Sequence, residues 1–186
     1  MSGAPRVFPR ESISSTISRK RPLRESQVKC DNINSRAMFS SHRSTGTATG
    51  AITFPPDQIA FAHRVVDEGV AIVHGHSSHH VKAIEVFKGR LILYGCGDFL
   101  TDYEGISGYE MFRGDLELMY LVDLGLRNGQ LVSARLVPMQ MRRFQLEHAS
   151  AADTEWLFAL LNRLGAPFET HVELTAEKKL TLKWRL

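Results

Sequence analysis

Cysteine is almost missing from the 186 residues: Cys30 and Cys96 are the two. They lie too far apart for a disulfide framework, and a reducing compartment is the default expectation. Long apolar runs are missing as well. No stretch approaches the roughly 18 to 20 apolar residues that a membrane helix needs, so no membrane span is expected. The N-terminus lacks the apolar segment of a secretory signal. No internal repeat is visible. Acidic residues are scarce at the front: residues 1–50 hold nine Lys/Arg and three Asp/Glu, whereas residues 51–186 hold fourteen and seventeen. The formal net charge of +3 therefore splits into +6 on the first part and −3 on the second. A nucleic-acid partner would require a basic face with interleaved aromatics, or a known module, inside the folded part. Neither is present, and no nucleic acid is expected.

What is there begins with a contrast in composition. Ten of the first fifty residues are serine, and apolar residues follow no period of 2 or 3.6. Ser44-Thr45-Gly46-Thr47-Ala48-Thr49-Gly50 has little to bury. Residues 1–53 are accordingly expected to form a disordered, basic, Ser/Arg-rich leader. Such a composition also suits an organelle transit peptide, a plain unstructured leader, or a start upstream of a truncated gene. The corresponding location is cytoplasmic by default, with organelle targeting by the leader as the alternative.

Residues 54–186 are expected to be the ordered domain. Pro55-Pro56-Asp57 suits a helix entry, and Ile59, Ala62, His63 and Val66 recur at helical spacing up to Gly69. Val70-Ala71-Ile72-Val73 is fully apolar and predicts a buried strand. Ala83–Phe87 and Leu91–Tyr94 flank Lys88-Gly89 as a β-hairpin. Leu116–Leu124 and Gln130–Met139 flank Arg127-Asn128-Gly129 as another. Ala151–Leu164 is amphipathic and stops at Gly165 and Pro167. His171–Leu174 and Leu180–Trp184 predict a last hairpin. The order is helix, strand, antiparallel strands, helix, hairpin, which is an α/β or α+β layered fold.

Chemistry concentrates in one place. Four of the eight histidines fall between positions 74 and 80: His74, His76, His79 and His80. Imidazole is a common ligand for Zn, Fe and Mn. Gly75, Ser77 and Ser78 let the backbone bend so that the side chains converge. The cluster also follows an expected strand, and open α/β sheets place their sites at strand C-termini. The opposing interpretation is a solvated histidine-rich loop. Gly95-Cys96-Gly97-Asp98-Phe99 is the second candidate. There Asp98 can support a histidine by hydrogen bonding, and the alternative is a plain turn around a small buried cysteine. Cys96 has no thiolate-stabilising neighbour in sequence and is not expected to be a nucleophile. Asp102, Glu104 and Glu110 are most simply solvated loop acids. His63, His148 and His171 stand alone and are expected to be packed or surface residues.

The segment Gly75-His76-Ser77-Ser78-His79-His80-Val81-Lys82-Ala83-Ile84-Glu85-Val86-Phe87, followed by Gly89-Arg90-Leu91-Ile92-Leu93-Tyr94-Gly95-Cys96-Gly97-Asp98-Phe99, resembles the closing signature of the CapA family. That family belongs to poly-γ-glutamate and capsule synthesis. The resemblance extends through Asp102-Tyr103-Glu104-Gly105-Ile106 and back to the helix around Phe61-Ala62-His63. It implies the C-terminal portion of a calcineurin-like metallophosphoesterase sandwich with a dinuclear centre of divalent ions, Mn, Fe or Zn. By position His76 and His79 match late metal ligands, His74 is a further candidate, and His80 and Asp98 are possible catalytic support. The family's early G-D, N-N-H and H-W-G segments have no counterpart upstream, and Ser41-His42-Arg43 stands where H-W-G belongs. The resemblance therefore implies a partial domain with an uncovered sheet edge through which copies can self-associate. A phosphorylated or polyanionic small substrate is expected. Phosphoester hydrolysis is expected to be weak or absent in this chain alone. The rival readings are a non-catalytic metal- or anion-binding interaction module and a non-functional truncated product.

Overall fold

The computed structural model describes residues 36–40, 55–76, 78–100 and 110–185, with residues 36–40 and 76 described by backbone only. Two sheets and two long helices make up these residues. Helix α1 (Pro56–Asp67) starts as the sequence predicts, with Pro56 where a missing N–H costs nothing and Asp57 in the first turn. It ends at Gly69, whose φ of +94° lies in the left-handed region that glycine enters without strain.

The first sheet is mixed. Its strands run in the order β1 (Arg36–Ser40), β2 (Ile72–His76), β4 (Arg90–Leu93) and β3 (Ile84–Phe87). β1 and β4 both pair with β2 in parallel, and β3 returns antiparallel to β4. The β3–β4 turn is Lys88-Gly89 with φ of 50° and 73°, the backbone twist that tight hairpins prefer. β1 falls within the stretch assigned to the leader. Its partner is remote in sequence, and Arg36 lies opposite Ile72.

The second sheet is antiparallel: β5 (Leu116–Leu124), β6 (Leu131–Arg142), β9 (Leu180–Trp184) and β8 (Thr170–Leu174), with β7 (Gln145–His148) added on β6. The alternation of β5 sends Leu116 and Leu118 into the core between the sheets, where they join Ile84, Leu91, Leu93 and Leu136. On the far side of the first sheet, Val73, Ile92 and Tyr94 pack with Ala62 and Val66 of α1. Helix α2 (Ala151–Gly165) serves both cores. Leu157 and Leu161, four residues apart, join the inter-sheet core, and Leu160 and Leu164 join the other. Ser150 caps α2 by accepting the Asp153 N–H at 3.1 Å, and the Thr170 hydroxyl ties the sheets by donating to the Ile84 carbonyl at 2.7 Å.

Candidate functional site

Parallel pairing of β2 with β4 brings both sequence motifs to one edge. The histidine segment continues from the C-terminal end of β2, and Gly95–Asp98 continues from that of β4. The antiparallel ladder also runs past the ends of β3 and β4. The Tyr94 N–H donates to Ala83, the Lys82 N–H donates to Gly95, and Val81 bridges Cys96. The approach is close. A Cβ at Gly75 would overlap the Tyr94 backbone carbonyl, and one at Gly95 would crowd the Ser78 hydroxyl. Neither position has room for a side chain.

Within this junction His79 meets Asp98. The Nδ1–H donates to both carboxylate oxygens, at 2.8 and 3.0 Å. A carboxylate accepts, so Nδ1 carries a hydrogen. His79 itself has a left-handed backbone, φ 55°, and Ser78 stiffens the turn by donating from its hydroxyl to the His80 carbonyl at 2.7 Å. His80 turns elsewhere and stacks on Phe112 with ring centroids 4.9 Å apart. His74 lies opposite Leu93 in the ladder, half-buried. The backbone of His76 ends β2. Among the described residues, no three or more His, Cys, Asp or Glu side chains gather where one metal ion could sit. Asp102 and Glu104 lie outside the described residues, whereas Glu110 is exposed on a short 3-10 turn.

Two charged residues that composition and spacing did not single out lie close by, Glu117 behind the pair and Lys82 with its stem against Gly95. Glu117 of β5 is 1% exposed, and its Oε1 accepts the Asp98 N–H at 3.2 Å. Its Oε2 has no hydrogen-bond partner among the described residues. Burial pushes its carboxyl up to about 8, against the pull of the Asp98 and Phe99 N–H groups. Lys82 is 3% exposed, and burial alone pulls its pKa down. The ion pairs among the described residues do not include it. The shared signal was a charged residue inside an apolar run, Leu116-Glu117-Leu118 and Val81-Lys82-Ala83. Cys96 is buried and its thiol is pushed up to about 12, mainly by burial, so it stays a thiol at neutral pH. His63, expected to be packed or at the surface, pairs through Nε2 with Glu85 at 2.8 Å and stacks on Phe87.

An α/β scaffold that braces a strand-end histidine with a carboxylate from the neighbouring parallel strand belongs to the class that places polar sites at the C-terminal edge of a sheet. The comparisons specify the family. The family model described as "Bacterial capsule synthesis protein PGA_cap" matches residues 38–103, a span that contains both motifs and starts within β1. The chain is 46% identical over 136 residues to the "Probable polyglutamine synthesis accessory protein" of Mycobacterium tuberculosis, in strain CDC 1551 / Oshkosh and again in strain ATCC 25618 / H37Rv. The aligned residues make up 73% of this chain and 35% of the relative. The chain belongs to this CapA-type capsule synthesis family and spans about a third of the length of the curated relatives it matches. No described helix is long and apolar enough to cross a membrane.

Proposed function

We propose that this segment supplies the histidine edge of a metal-dependent phosphoester-hydrolysing site in a protein accessory to capsule or polyglutamine synthesis. The observation that carries this reading is the His79–Asp98 pair at the shared strand edge, inside the family-matched residues. Metal-binding imidazoles characteristically give their other ring N–H to a carboxylate, which fixes the tautomer and raises ligand basicity. His79 has that arrangement, with His74 and His76 as the companion candidates. The fit is that of a contributor. The described side chains do not converge three at a time, and a structural or catalytic ion takes about four to six ligands. A bound divalent ion would supply charge to polarise a phosphoryl oxygen and to acidify water. Within this chain, Asp98 orients His79, and the Gly75 and Gly95 contacts set the spacing of the two loops. Hydrolysis by the chain alone is expected to be weak or absent.

A specific observation favours a second reading, a non-catalytic anion-binding module. Lys82 carries a buried positive charge beside the histidine loop with no ion pair among the described residues, and a phosphoryl or carboxylate group would match it. The test is the Mn, Fe and Zn content of the purified chain after dialysis, beside a His76→Ala/His79→Ala double variant. About one ion retained by the parent and lost by the variant is expected. If neither retains metal, the metal reading fails and the anion-binding module is left.

A further inference from the structure

We infer that Glu117 is the positioning residue that sets the orientation and tautomer of His79, by gripping the backbone of Asp98 from the opposite sheet. Asp98 occupies a turn at the end of β4, preceded by Gly97 with φ +77°. Within it the Leu100 N–H donates to the Asp98 carbonyl at 2.8 Å, and the Asp98 N–H turns outward to Glu117. Glu117 reaches the turn from β5, a nine-residue strand locked to β6 along its length. Oε1 accepts the Asp98 N–H, and the Phe99 N–H adds to it. The fit allows little movement, since a Cβ on Gly97 would overlap Oε2. The chain of contact is continuous: β5 holds Glu117, Glu117 holds the Asp98 backbone, and the Asp98 carboxylate holds His79 Nδ1.

The burial of Glu117 is accounted for by such a role. Taking a carboxyl out of water with one oxygen unpartnered costs stability, and a leucine or methionine in the same place would not. The carboxyl remains protonated at neutral pH, since its pKa of about 8 lies above that range. It therefore serves Asp98 as a neutral oxygen acceptor and adds no second negative charge beside the Asp98 carboxylate. Its effect on metal affinity rests on the proposed function, whereas its effect on His79 does not.

The experiment uses the full chain and three versions of it: wild type, Glu117→Gln, which keeps an oxygen acceptor, and Glu117→Met, which keeps the shape and removes it. Nitrogen-detected NMR of the histidine rings reports which nitrogen of His79 carries the hydrogen. The hydrogen is expected on Nδ1 in wild type and Glu117→Gln, and shared between both nitrogens in Glu117→Met. Mn affinity should follow the same pattern, with a loss of roughly 10- to 100-fold in Glu117→Met. An unchanged His79 signal in Glu117→Met overturns the inference. So does rapid hydrogen exchange of the Asp98 amide in wild type, whatever the stability of the variants. If wild type binds no Mn but the His79 pattern holds, the metal reading fails and the positioning role stands.

Discussion

His63 and His79 each meet a carboxylate at 2.8 Å, yet the two pairs are built for different work. His63 lies on α1 with its ring flat on Phe87, centroids 3.7 Å apart at an interplanar angle of 4°. Its partner Glu85 turns the second oxygen to the Tyr94 hydroxyl, which is buried in the core under α1. That pair is backed by a ring, a helix and a phenol, with the His63 side chain still 28% exposed. His79 lies on a loop with a left-handed backbone, at the edge where two parallel strands end. Its partner Asp98 gives both oxygens to the one nitrogen and is backed by a carboxyl. A histidine–carboxylate pair alone thus says little about function. What backs the carboxylate, and where the ring lies on the sheet, separates a structural pair from a candidate ligand.

The backing groups differ most in how they respond to pH, and there the largest effect is expected. The carboxyl of Glu117 is raised from its ordinary 4.5 to about 8 by burial, so the folded chain holds a proton that the unfolded chain has released. Stability contributed in this way is complete below about pH 4.5 and is lost as pH rises through about 8, for a total of several kcal/mol by linkage. Tyr94, the backing group of the other pair, is pushed further up, chiefly by burial, and stays protonated across this range. Denaturant unfolding between pH 5 and pH 8 should show a fall in wild type and a much flatter profile in Glu117→Gln. Equal slopes would mean that Glu117 is ionised in the fold.

Breaking each carboxylate should then separate the pairs. Glu85→Ala removes the acceptor shared by His63 and Tyr94 and is expected to cost about 2 to 4 kcal/mol of unfolding free energy. Metal content should not change once the variant is folded. Asp98→Asn should change stability by no more than about 1 kcal/mol, because Asp98 is partly exposed. Mn affinity should fall roughly 10- to 100-fold with it. Denaturation and calorimetric titration of both variants decide the matter, and losses of the same kind in both would erase the distinction.

The sequence made part of this visible, for identifiable reasons. Helices α1 and α2 and the β3–β4 hairpin declare themselves by local periodicity and turn chemistry, so their limits match to within a few residues. β1 does not, because Arg36-Ala37-Met38-Phe39-Ser40 gains its strand character only from β2, far along the chain. β7 is hidden for another reason. Gln145-Leu146-Glu147-His148 is a mostly exposed edge strand with no apolar face to alternate. The histidine cluster and Asp98 were legible as motifs, and one member of the cluster, His79, meets that carboxylate. Glu117 was not, because Leu116–Leu124 scans as core and the residue's partner lies in a turn of the other motif. His74, His76 and His79 were expected as ligands of a dinuclear centre, and the side chain of His76 lies outside the described residues.

The smallest expected effect concerns charge around the two pairs. Near His63, Lys88 reaches Asp67 at 2.5 Å on an exposed surface, where such a bridge contributes little. Near His79, Lys82 is buried with no such partner among the described residues. Burial lowers its pKa, so the unfolded chain holds the proton more tightly than the fold does, and stability should rise as pH approaches 10. Lys82→Met keeps the length of the stem and removes the charge. It should raise stability at neutral pH by about 1 kcal/mol, as replacing an uncompensated buried charge commonly does, and it should lose the alkaline rise. The same variant separates the two functional readings. If the ammonium serves an anion, inorganic phosphate should stabilise wild type in a thermal shift and leave Lys82→Met unmoved. If phosphate stabilises both equally, Lys82 is a packing residue, and His79 with Asp98 is left to distinguish this edge from the pair on the helix.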